Sequence, residues 1–88
     1  MAAATPQQIE AALQAALAPQ SLSVRDDSHL HVGHAGYGSG HYTVDIVSEK
    51  FQGLSSIARH RLVYDALRDL MGSGIHALII HASTPPAD

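Results

Sequence analysis

Histidine is the residue that invites a chemical reading of this chain. Seven occur in 88 residues, and His29, His31, His34 and His41 fall within thirteen positions of one another. Imidazole is the common nitrogen ligand for zinc, copper, iron and nickel, and it titrates near neutral pH. Metal or partner binding is therefore the first chemistry to weigh, with a solvated loop tip as the plain alternative. There is no cysteine, so the chain offers no thiolate as ligand or nucleophile and no disulfide. Neither an H-x-x-x-H on a helix nor a C-x-x-C is present, which removes the usual zinc signatures and leaves a mononuclear zinc or copper site on the closely spaced imidazoles as an open possibility.

Other chemistries are poorly served. Five Lys and Arg against eight Asp and Glu give a net charge of −3, the wrong balance for general attraction to a phosphate backbone. Arg59-His60-Arg61 looks basic, but on a helix the two arginines point about 200° apart, so the expected role is a packing or partner-binding face. Gly33 to Gly40 lacks the Gly-Lys-Ser/Thr ending of a phosphate loop. Ser, His and Asp occur without an order that suggests a triad, so no enzyme is expected. No apolar run nears the ~20 residues of a membrane span. Met1 to Gln20 has no basic leader region, and a cytoplasmic location is expected.

The elements that must position these histidines follow from periodicity. Thr5-Pro6-Gln7-Gln8 reads as a capping box with proline at the first turn, and Ile9, Leu13, Ala16 and Leu17 form an apolar stripe. This predicts a helix over 6–18, ended by Pro19. Ser21 to Asp27 alternates as a short strand. Val32 to Gly40 holds four glycines and reads as a loop. His41 to Ser48 is the clearest strand, with Tyr42, Val44 and Ile46 on one face and His41, Thr43 and Asp45 on the other. A helix capped by Ser55 or Ser56 should run over 55–71, burying Val63, Ala66, Leu67 and Leu70, with Gly72 as its stop. His76 to Ala82 is a nearly continuous apolar run, expected to be a strand buried on both faces. His81 falls on the opposite face of that strand from His76.

An α-β-β-α-β order predicts a small α+β domain over 6–83: a mixed three-stranded sheet with the helices on one face. The last two strands should be parallel if they are neighbours. Residues 1–5 and 84–88 are expected to be disordered flanks.

The ordered set Val47-Ser48-Glu49-Lys50-Phe51-Gln52-Gly53, Arg59-His60-Arg61-Leu62-Val63 and Ile75-His76-Ala77-Leu78 resembles the BolA family. Asp27-Ser28-His29 and Gly40-His41-Tyr42-Thr43-Val44 fit the same family upstream. The likeness covers roughly residues 6–83. It implies a fold similar to the class II KH domain. It also implies partnership with a monothiol glutaredoxin, around a [2Fe–2S] cluster whose thiolates come from the glutaredoxin and its glutathione. The chain would be a monomer alone and a heterodimer with that partner. By the resemblance, one cluster ligand maps to His76 and the other to the loop between the first two strands, with His34 favoured and His31 second. Iron–sulfur trafficking or iron regulation is the implied role. Some relatives act as transcriptional regulators, so weak nucleic-acid binding is one alternative; a stand-alone metal-binding protein, suggested by the closely spaced imidazoles, is another. For His76, a hydrogen-bonded histidine at the start of a core strand is the competing structural reading.

Overall fold

In the computed structural model, residues 5–27, 40–72 and 74–86 are described. The first helix, α1 (Pro6–Leu17), starts as its sequence dictates. Thr5 Oγ1 accepts from Gln8 N–H, and Gln8 Oε1 accepts from Thr5 N–H. These bonds satisfy two donors that a bare helix end would leave open. Ala18 closes the helix in the left-handed region (φ 43°). Ile9, Leu13 and Leu17 are buried. Ala16 is exposed and Ala12 flanks the core instead, because the buried stripe follows strict i, i+4 steps.

Strands β1 (Ser21–Asp26), β2 (His41–Val47) and β3 (Ala77–Ser83) form one sheet in the order β1-β2-β3. The β1–β2 pair is antiparallel and the β2–β3 pair is parallel. The parallel return is made by a 3-10 turn at Glu49–Phe51 and two helices, α2 (Ser56–Ala66) and α3 (Arg68–Met71). Ser55 caps α2 through Ala58 N–H.

Both long helices cover one face. α1 packs on β1 and on α2, and α2 packs on β3. Tyr42, Val44 and Ile46 project from β2 into a core with Ile9, Leu13, Phe51, Val63, Leu67, Ile75 and Ile80. Ser48 anchors the far end: its Oγ donates to Leu17 O and accepts from Lys50 N–H.

Two expectations are corrected. The helix foreseen over 55–71 breaks at Leu67 (φ −102°, ψ 12°), whose N–H is shared between the carbonyls of Val63 and Tyr64. The break keeps Leu67 fully buried and still turns Leu70 onto the core. The run His76 to Ala82 is not buried on both faces. β3 is an edge strand, with Leu78, Ile80 and Ala82 inward and Ala77, Ile79, His81 and Ser83 exposed. Ile79 is 58% exposed. Among the described residues, the helices lie on one side of the sheet and none covers β3 on the other. Among the described residues, no helix is long and apolar enough to cross a membrane.

Candidate metal-ligating site

The parallel pairing of β2 and β3 aligns the starts of both strands, with His41 opposite Ala77. One residue earlier on each strand, the chains are clamped together. Gly40 O accepts from His76 N–H at 2.7 Å and from Ala77 N–H at 2.9 Å. Gly40 lies at φ +78°, and a Cβ there would fall 2.9 Å from His76 N, 3.0 Å from His76 Cβ and 3.1 Å from Gly74 O. Only glycine allows both this backbone conformation and this approach.

His76 is fixed from its other side as well. Ile75 is buried, and the N–H groups of Gly74 and Ile75 both donate to Leu70 O, at 2.8 and 3.0 Å. The backbone of His76 is thus held between the end of α3 and Gly40, while its side chain is exposed. His41 is half-buried with Nε2 enclosed. Its ring lies 5.5 Å from that of His76, centroid to centroid, with the planes tilted by 55°.

Asp27 stands at the neighbouring corner. Its N–H donates to His41 O at 2.8 Å, and its carboxylate accepts from Thr43 Oγ1. The contact with Arg25 Nε, at 3.9 Å from a largely exposed side chain, adds little in water. Residues 27 and 40, which flank the segment carrying His29, His31 and His34, therefore both hydrogen-bond at the end of the sheet where His41 and His76 stand. Beneath them, burial first and the charge of Asp26 second raise the Tyr42 phenol above its ordinary pKa.

His76 is therefore placed at a mouth built by Gly40, His41 and Asp27. His34 and His31 lie outside the described residues. Arg59, His60 and Arg61 do not join the mouth. Arg59 Nε donates to Leu54 O at 3.0 Å and Nη1 to Ala82 O at 3.3 Å. Ala82 is six residues along β3 from His76, about 20 Å in an extended strand. Arg61 is exposed while Arg59 is turned inward and His60 is half-buried, so the three make no single basic patch. His81 lies opposite Asp45 on the open face of the sheet.

Sequence reasoning counted His41 among the loop histidines and did not single it out. The usable signal was the parallel crossover, which sets residue 41 beside residue 77. Among the described residues, no group of three or more His, Cys, Asp or Glu converges as a metal cage. Within the described residues the mouth offers two imidazoles, those of His41 and His76.

Comparison with known proteins decides the family. The family model described as BolA-like protein matches residues 13–87. This chain belongs to the BolA family. It is 46% identical over 80 residues to SufE-like protein 1, chloroplastic/mitochondrial, of Arabidopsis thaliana, covering 83% of this chain and 22% of that protein. It is 44% identical over 78 residues to Protein BOLA1, chloroplastic, of the same plant, covering 83% of this chain and 49% of the relative. The BolA-like chain thus spans about a fifth of one of these curated relatives and about half of the other. Among solved structures, the BolA domain of SufE1 from Arabidopsis thaliana superposes with a TM-score of 0.82 at 46% identity, covering 91% of both chains.

Proposed function

We propose that this BolA-like chain is a non-enzymatic adaptor that holds a [2Fe–2S] cluster jointly with a monothiol glutaredoxin, in iron–sulfur cluster trafficking or iron regulation. The cluster is cargo. His76 gives one nitrogen and a loop histidine gives the other, His34 ahead of His31. The glutaredoxin cysteine and its bound glutathione give the two thiolates.

One observation carries the reading. An exposed imidazole, His76, is pinned by its backbone to Gly40, the residue at which the histidine-bearing segment joins β2. The donor chemistry fits. Histidine can replace cysteine on one iron of a [2Fe–2S] cluster, and the other iron then needs two thiolates. A chain with seven histidines and no cysteine can satisfy the first iron and must find the second iron's ligands in a partner. Gly40 lies six positions along the chain from His34, a tether of at most about 20 Å, so covalent reach permits His34 and His76 to share an atom.

The adaptor role also accounts for the exposure of His76. A resident cofactor is usually enclosed by a full ligand set, whereas a shared cargo must present an open face to the partner.

The test is co-purification with a monothiol glutaredoxin, glutathione, iron and sulfide. A one-to-one heterodimer with a visible absorption and circular-dichroism spectrum distinct from the glutaredoxin homodimer is expected. The His76→Ala and His34→Ala variants should each weaken that spectrum, and the double variant should abolish it with the apo fold intact. Persistence of the full spectrum in the double variant would overturn the ligand assignment.

A further inference from the structure

We propose that His41 and His76 form a two-imidazole site for one zinc-type divalent ion in the free chain, built without the loop histidines. The observation is the ring pair itself: centroids 5.5 Å apart and planes at 55°. An ion about 2.0–2.1 Å from one nitrogen of each of two imidazoles, at a tetrahedral angle, separates the ring centroids by about 5 Å. The observed centroid separation thus lies within about half an ångström of the one a shared ion requires.

The backbone that carries the pair is fixed. His41 and Ala77 are register partners, and the two N–H bonds to Gly40 O hold His76 at the end of β3. Such preorganisation avoids the ordering cost that a site on a loop would carry. His41 Nε2 is enclosed and His76 is exposed, so an ion between the rings sits at the boundary of protein and solvent. Imidazole donors suit Zn(II), Cu(II) and Ni(II) over oxygen-seeking Mg(II) or Ca(II). Two protein nitrogens leave the remaining positions to water.

The site does not depend on the cluster reading, but it would interact with it. His76 is common to both, so an ion held by His41 and His76 and a cluster held through His76 exclude one another. Divalent metal would then compete with cluster binding.

The experiment uses the metal-free full chain and Zn(II) alone, with no glutaredoxin present. Titration calorimetry should give one ion per chain. The ring nitrogens of His41 and His76 should shift together in long-range ¹H–¹⁵N spectra, saturating at one equivalent. His41→Phe keeps a flat ring in the packing and removes the nitrogens. It and His76→Phe should each lower the affinity at least tenfold. A variant with His29, His31 and His34 all changed to Gln should bind within threefold of the parent. The proposal is overturned if His41→Phe binds as the parent does, if the His41 nitrogens do not move at saturation, or if the loop variant loses the ion. Should His41→Phe fail to fold, the nitrogen shifts of the parent chain still decide. Because the partner is absent, failure here leaves the glutaredoxin reading standing, and failure to form the mixed complex leaves this one standing.

Discussion

Gly40 is the residue on which the candidate site turns. Its positive φ costs an L-residue roughly 1–2 kcal/mol, and an added methyl would press on the backbone of His76 and Gly74. His76 cannot move without disturbing its bond to Gly40 O, nor Gly74 without disturbing its bond to Leu70 O. Gly40→Ala should therefore lower stability by about 2 kcal/mol or more in urea unfolding, and it should displace the His76 backbone resonances. A loss under ~0.5 kcal/mol, with His76 unmoved, would contradict the clamp. Tyr42 makes a second prediction. Its folded pKa is raised by burial and by Asp26, so the folded state keeps a proton that the unfolded state loses above about pH 10. Its stabilising contribution is complete below that pH and is lost as pH rises through the folded value. Stability should fall above about pH 10, and Tyr42→Phe should flatten the fall; an equal alkaline slope in the variant would remove Tyr42 as the cause. At this scale the sequence was half legible. His76 could be found because it sits inside a recognisable run, Ile75-His76-Ala77-Leu78. His41 could not be paired with it, since a contact between residues 35 positions apart exists only once the strand register is known.

Elements were legible where their signals are local. Thr5, Pro6 and Gln8 announce α1 within four residues, and the reciprocal bonds between Thr5 and Gln8 are what that spacing implies. The break in the second helical segment left no such mark. Leu67 is a good helix former, and its distorted backbone answers to a tertiary demand, the burial of Leu67 together with Leu70. The apolar run in β3 was misread for a related reason. Its composition reports hydrophobicity but not how many layers exist to cover it. Arg59 illustrates the same gap, because a basic residue on a helix says nothing of where its guanidinium ends. Here it ties Leu54, just before α2, to Ala82 near the end of β3. Arg59→Ala should cost about 1–2 kcal/mol of stability, and Arg59→Lys should recover only part, since an ammonium lacks the planar fork that reaches two carbonyls. Chemical unfolding of the three proteins checks this. A neutral Arg59→Ala would show that the two bonds contribute nothing net.

For the whole molecule, the consequence of the fold is asymmetry. Helices occupy one face of the sheet, and the starts of β2 and β3 meet the end of β1 at a single mouth. The α-β-β-α-β order was enough to foresee the mixed sheet and its one-sided cover, because a helical crossover between neighbouring strands leaves few other arrangements. The described flanks of the histidine-bearing segment, Asp27 and Gly40, stand at the end of the sheet where His76 begins β3. What the order could not supply is a ligand count, which in the proposed complex would depend on atoms from another protein. The central claim, that this chain contributes nitrogen to a cluster whose sulfur ligands belong to its partner, is a statement about bonds and can be read as such. The chain is labelled with ¹⁵N-histidine, the glutaredoxin is left at natural abundance, and the reduced mixed complex is examined by pulsed electron paramagnetic resonance. Strong coupling to two ¹⁵N nuclei, falling to one in His76→Ala, is the predicted result. A cluster signal with no ¹⁵N coupling from this chain would contradict the account.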